Sequence, residues 1–131
     1  MFVRFIAPHW DAESRCRAGL FTIAYRASRS SCLPEWQRAE LRRELDWFGA
    51  HLAVPAVLVI TTGHRQCRNG VCWFRDRAAE HVSRARYVAW ILSGNGAPID
   101  ELRSDRPGTL IWSDAHQIVA LSHRNAPRWA H

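Results

Sequence analysis

The stretch Val71-Cys72-Trp73-Phe74-Arg75-Asp76-Arg77-Ala78-Ala79-Glu80-His81-Val82-Ser83-Arg84-Ala85-Arg86-Tyr87-Val88-Ala89-Trp90-Ile91-Leu92-Ser93-Gly94 decides the fold. Its first five residues are apolar or β-favouring and predict a strand over 71–75. Asp76 is placed to cap a helix. Around Ala85, a wheel of 3.6 residues per turn gathers Ala78, His81, Val82, Val88, Ala89 and Leu92 on one face, predicting a helix over about 77–93. Gly94 and Gly96 end it. A helix with one apolar face following a strand needs a sheet to pack on.

The flanking sequence supplies that sheet. Downstream, Ile99 to Arg103 reads as a strand and Pro107-Gly108 as a turn pair. Strands follow over Thr109 to Trp112 and Gln117 to Leu121, joined by a tight turn at Ser113-Asp114-Ala115. Upstream, Phe2 to Ile6 predicts a first strand, ended by Pro8. Asp11 then caps a helix over about 12–28, with Cys16, Leu20, Ile23, Ala24 and Ala27 at helical spacing. Pro34 suits the first position of a second helix over about 34–52, whose apolar stripe is Leu41, Leu45, Phe48 and Leu52. Residues 57–62 have strand composition, and Asn69-Gly70 is a good turn pair into the strand at 71. The order β-α-α-β-α-β-β-β predicts an α+β fold. A small antiparallel or mixed sheet of four to five strands carries a helical hairpin and a third helix on one face.

A chain of 131 residues fits a single domain spanning 1–131, and its 47% apolar content supplies a core without disulfides. The 11% aromatic content argues against disorder. No stretch has the charged start and long apolar run of a signal peptide, and none reaches the roughly 18 apolar residues of a membrane span. The expected location is cytoplasmic. Cys16, Cys32, Cys67 and Cys72 therefore read as thiols, with Cys16 and Cys32 at positions suited to small core residues.

The formal charge is +6, and all 18 basic residues are arginine. Without lysine, Schiff-base chemistry and a lysine-ended phosphate loop are excluded. Arginine suits planar contacts to phosphates and carboxylates, although GC-rich coding produces the same bias.

Met1-Phe2-Val3-Arg4-Phe5, Gly19-Leu20-Phe21, Leu45-Asp46-Trp47-Phe48 and Val71-Cys72-Trp73-Phe74-Arg75 with His81 resemble a group of short bacterial proteins. So do Leu102-Arg103-Ser104-Asp105-Arg106-Pro107-Gly108 and Trp112-Ser113-Asp114-Ala115-His116-Gln117-Ile118-Val119-Ala120. The likeness spans most of the chain outside about 53–70 and the tail after Ser122. It implies a chromosomal or mobile-element bacterial protein and carries no activity with it.

Candidate metal ligands are His64, Cys67, Cys72 and His81. Their spacing, His64-x-x-Cys67-x4-Cys72, is wider than the tight cysteine pairs of structural zinc sites. No metal and no cofactor are expected. Candidate catalytic residues are Cys72 and His81, since a histidine beside a cysteine generates thiolate. Cys72 lies between Val71 and Trp73, which suits burial, and His81 suits a hydrogen-bonded core position. No nucleophile elbow or zinc-protease motif is found.

Large aromatics interleave with arginine on the predicted outer helix sides. Helix two places Trp36, Arg43 and Trp47 away from its stripe, and helix three places Arg86, Tyr87 and Trp90 away from the sheet. Interfaces favour this mixture, and bases stack on such rings. Packing under another segment explains the same residues equally simply. Arg75 and Arg77 flank the start of helix three, whose dipole favours anions. The expected function is non-enzymatic binding of a macromolecule. The partner expected first is a protein or a second copy; an inhibitor or adaptor role fits the size and resemblance. Nucleic acid held by arginines, or a Cys/His enzyme acting on an anionic substrate, are the alternatives. No membrane partner is expected.

Overall fold

Phe2–Asp11 forms strand β1, followed by β2 (Cys16–Gly19), helix α1 (Leu20–Ser28) and helix α2 (Glu35–His51). Two short strands, β3 (Ile60–Thr61) and β4 (His64–Arg65), precede β5 (Gly70–Arg75) and helix α3 (Ala79–Gly94). β6 (Asp100–Ser104), β7 (Thr109–Ser113) and β8 (Gln117–Leu121) complete the order. The structure, a computed structural model, describes residues 1–11, 16–55, 60–61, 64–65 and 70–121. Of these, 9–11, 16–18, 60–61 and 64–65 are described by backbone alone.

The α+β class and the predicted order of main elements are observed, with every strand pair antiparallel. β1 organises the sheet. Phe2 stands opposite both Ser104 and Arg75, and Ile6 opposite both Asp100 and Gly19. β6 therefore takes one edge of β1, while β5 and β2 share the other. β8 pairs with β5, and β7 closes the sheet against β8. β3 and β4 pair with each other in a separate ladder. Thus 60–61 of the predicted 57–62 strand is extended; 56–59 and 62–63 lie outside the described residues.

The N-terminal reading is corrected in two places. Pro8 does not end β1, which runs to Asp11. The pairing register shifts between Ile6 and Trp10, so Pro8 sits where the ladder is irregular and its missing N–H is tolerated. Helix one begins at Leu20 rather than near residue 12, because Cys16 to Gly19 pair with β1. Asp11 is thus a strand residue and not a helix cap. Asp76 does not cap α3 either, since Ala78 holds that position without a side-chain bond. Its carboxylate lies 3.8 Å from the Met1 ammonium, a nearby charge that competes for it.

The helices cover one face of the sheet. Val3 and Phe5 of β1 and Phe74 of β5 pack there with Leu20, Ile23, Leu41, Leu45 and Phe48. α3 contributes Val82, Ala85, Val88, Ala89 and Leu92, the face expected from its periodicity, together with Ile91. Each large side chain so buried contributes about 1.5–3 kcal/mol. On the opposite face Val71, Trp73, Ile118 and Ala120 form a second cluster, bordered by Phe2 and Leu102. Cys32, expected as a core residue, is exposed.

α3 stops as expected at its glycines. Gly96 takes φ 85°, the Gly96 N–H bonds to the Ser93 carbonyl and the Ala97 N–H to that of Leu92. This double bond to the last carbonyls needs a left-handed residue, which glycine adopts without steric cost. Among the described residues no helix is long and apolar enough to cross a membrane.

Candidate functional site

α2 and α3 lie antiparallel, held at three levels. Asn95 Nδ2 donates to Gln37 Oε1 at 2.8 Å near one end. Arg84 Nη1 donates to Glu44 Oε2 at 2.9 Å midway, and His81 Nε2 donates to the His51 carbonyl at 2.8 Å at the other end. Between the first two levels the outer surface is rich in aromatic carbon.

Trp36, Ala39, Glu40 and Arg43 wall a shallow depression on α2, one helical side given their spacing. Arg43 is ion-paired to Glu40. Tyr87 of α3 lies against the same pair: burial first, then the Glu40 charge, raise its hydroxyl pKa. Trp90 stacks on Tyr87 with ring centres 6.2 Å apart and planes 15° apart. Trp36 is 59% exposed and Trp90 66%. Trp36, Arg43, Tyr87 and Trp90 therefore meet on one face, joined through Glu40. Glu40 was not singled out in the sequence, although it stands one turn beyond Trp36.

The other predicted binding residues lie elsewhere. Trp47 is half-buried, not outward. His51 stacks on it at 4.3 Å, the Arg84 guanidinium lies 4.3 Å from its ring centre, and His81 meets it edge-on at 4.9 Å. His116 then stacks on His81 at 4.2 Å. This ring column locks the C-terminal end of α2 to α3 and to the β7–β8 turn. Glu44 beside it is buried, with Arg84 as its ion-pair partner. Arg84→Met is accordingly expected to lower the melting temperature more than Glu44→Leu with Arg84→Met together, because the single change strands a buried carboxylate. Thermal melts of the two variants check this.

Arg86 turns to β6 and grips Glu101 with two bonds of 2.9 and 3.1 Å, while Arg103 adds a third at 3.0 Å. The Arg86 hydrogen bonds are the main reason the Glu101 carboxyl titrates below its ordinary range. A depressed carboxylate stabilises the fold at neutral pH, and that contribution is lost as pH falls through its lowered pKa. Glu101→Gln should flatten the acid limb of the stability–pH curve measured by urea unfolding. Arg75 donates from Nε to the Asp114 carbonyl at 2.9 Å and lies over Phe2; Arg77 flanks a small hollow with Met1 and Asp76. Arginines 43, 84, 86 and 103 are thus each paired with a carboxylate, which reduces what they present to a phosphate.

The catalytic candidates are set apart. Cys72 projects to the helix-covered side of β5 and reaches solvent in a groove, whereas His81 is buried in the ring column. Although solvent reaches the thiol, the apolar groove walls around it push its pKa up to about 11, with the Arg4 charge opposing. At pH 7 that leaves roughly one thiolate in 10⁴, a poor nucleophile. Alkylation near neutral pH should therefore label exposed Cys32 ahead of Cys72, and His81→Ala should leave the Cys72 rate unchanged; peptide mapping reads both. Because the folded state holds this proton more tightly, stability should fall as pH rises from about 9 towards 11.

Among the described residues no three His, Cys, Asp or Glu side chains converge on a metal position. Cys67 lies outside the described residues, and His64 is described by backbone alone. The chain matches no protein-family model, no curated protein sequence and no solved structure.

Proposed function

We propose that this chain is a cytoplasmic, non-enzymatic interaction domain that docks through the outer face of α2 and α3, and that a second copy of the chain is its partner there. The observation that carries the reading is a pair of tryptophans, 59% and 66% exposed, on one face with a stacked tyrosine. Leaving such groups in water forgoes burial free energy, and Trp and Tyr are the residues that dominate interface energetics.

A second copy fits because the charges on this face cancel. Glu40 and Arg43 pair within it, and Arg86 at its margin is held by Glu101. Across a two-fold axis the same patch meets itself, so Arg43 of one copy can exchange partners with Glu40 of the other. A chain of net charge +6 repels its copies elsewhere, but not where local charge is balanced. An adaptor or inhibitor role suits a small domain of this kind.

Size-exclusion chromatography with light scattering, at low and high salt, with and without mixed nucleic acid, tests the reading. A dimer indifferent to nucleic acid and to salt supports it. A monomer that shifts with nucleic acid only at low salt overturns it in favour of phosphate binding.

A further inference from the structure

α1 and α2 pack antiparallel. The Phe21 and Phe48 rings meet edge-on at 4.9 Å towards one end, and Arg42 Nη1 donates to the Ser28 carbonyl at 3.1 Å towards the other. Along α2, Arg38, Arg42, Leu45, Gly49 and Leu52 recur every three or four residues, one continuous stripe. Its first half is guanidinium and its second half is apolar. α1 repeats the division: Phe21 and Tyr25 precede Arg29, whose Nε donates to the Tyr25 carbonyl at 3.3 Å. Between the apolar halves runs a groove of about 250 Å³, walled by Tyr25, Leu45, Gly49, Leu52 and Val54.

Three features mark this groove as a docking surface. Tyr25 is 51% exposed and Val54 78%, so apolar carbon is left in water at its rim. Gly49 is exposed, and a Cβ added there would meet nothing within 4 Å. Glycine inside a helix costs stability relative to alanine, and no neighbour in this chain requires its bareness; a guest lying close across α2 does. Finally, Arg29, Arg38 and Arg42 have no carboxylate partner among the described residues, although Arg43, Arg84, Arg86 and Arg103 each have one. Glu40 and Glu44 of α2 are engaged by Arg43 and Arg84, while Glu35 and Asp46 form no ion pair with the three. The complementary guest is apolar for half its length and acidic at one end. The stripe from Arg38 to Leu52 runs about 20 Å, or about four helical turns. That length exceeds a small ligand and suits a peptide, whereas a nucleic acid would leave the apolar half bare.

We propose that the α1–α2 groove binds an amphipathic helical peptide of another protein. Its apolar stripe lies over Leu45, Gly49 and Val54, and its Asp or Glu side chains pair with Arg29 and Arg42. Helices dock into apolar grooves through residues three and four apart, and arginine meets a carboxylate with two parallel bonds. The groove is on a different side of α2 from Trp36 and stands or falls separately from the α2–α3 face.

A library of random peptides displayed on phage is the probe, selected on the immobilised chain. The enriched peptides should carry apolar residues at helical spacing with Asp or Glu at one end. The most enriched peptide, synthesised and followed by fluorescence anisotropy, should bind the Gly49→Leu variant at least about tenfold more weakly. The Arg29→Glu, Arg42→Glu variant should lose about as much, since one charge-assisted hydrogen bond accounts for that factor. Gly49→Leu should melt no lower than the unchanged chain, because leucine favours helix and its Cβ meets no neighbour. The Trp36→Ser, Trp90→Ser variant should bind the peptide as tightly as the unchanged chain, which keeps failure of this groove distinct from failure of the α2–α3 face. No enrichment, enrichment of basic or uncharged peptides, or undiminished binding to a folded Gly49→Leu variant would overturn the groove as the site.

Discussion

Truncation of Trp73 to alanine is expected to cost about 3–5 kcal/mol, the range for a large aromatic lost from a packed interior. Trp73 is 1% exposed and anchors the smaller cluster with Val71, Ile118 and Ala120. Because domains of this kind hold about 5–15 kcal/mol in total, the variant should sit near the edge of folding. Urea unfolding reads the loss as a lower midpoint at unchanged slope. Trp73→Phe should cost far less, since it keeps an aromatic ring and removes a buried donor that has no acceptor among the described residues. A loss as large in Trp73→Phe as in Trp73→Ala would mean that the indole N–H, rather than ring volume, holds this cluster.

Exchange of Trp36 and Trp90 together for serine should act in the opposite way. Both are largely exposed, so the folded monomer should lose no more than about 0.5 kcal/mol. Self-association should suffer heavily. A central interface tryptophan contributes about 2 kcal/mol or more, so the pair is expected to raise the dissociation constant roughly 10³-fold. A thermal melt and a dilution series separate the two effects.

The order of the main elements along the chain is legible in the sequence because the strands and helices carry local signals. Turn pairs such as Pro107-Gly108, and a helix whose apolar face recurs at Val82, Ala85, Val88, Ala89 and Leu92, need no knowledge of distant partners. The first helix is shorter than its sequence pattern predicts for a tertiary reason. Cys16 to Gly19 continue the spacing of the helix that follows, yet their backbone groups pair with β1, a choice made by a strand rather than by propensity. Pro8 departs from its strand-ending signal for a similar reason, since a proline stops a regular ladder but not one with a register shift.

The exposed α2–α3 face is partly legible. Wheel positions place Trp36 and Arg43 together on α2, and Tyr87 and Trp90 together on α3. How the two helices meet was not readable, and it decides the rest. The antiparallel approach brings Tyr87 to Glu40, while Trp47 is drawn inward between His51, His81 and Arg84. Arg86 was grouped with the aromatics by wheel angle, but its carboxylate partner is on a strand 15 residues away. Charge counting alone leaves +6 to distribute; only the fold shows which guanidiniums are already engaged.

The most direct measurement is the molar mass in solution, by light scattering, of the unchanged chain beside the Trp36→Ser, Trp90→Ser variant at matched micromolar concentration. The unchanged chain should weigh roughly twice its 15.1 kDa and the variant 15.1 kDa, with matching melting temperatures. A mass of 15.1 kDa for the unchanged chain at every concentration, or an undiminished dimer in the variant, would contradict the assignment of the α2–α3 face.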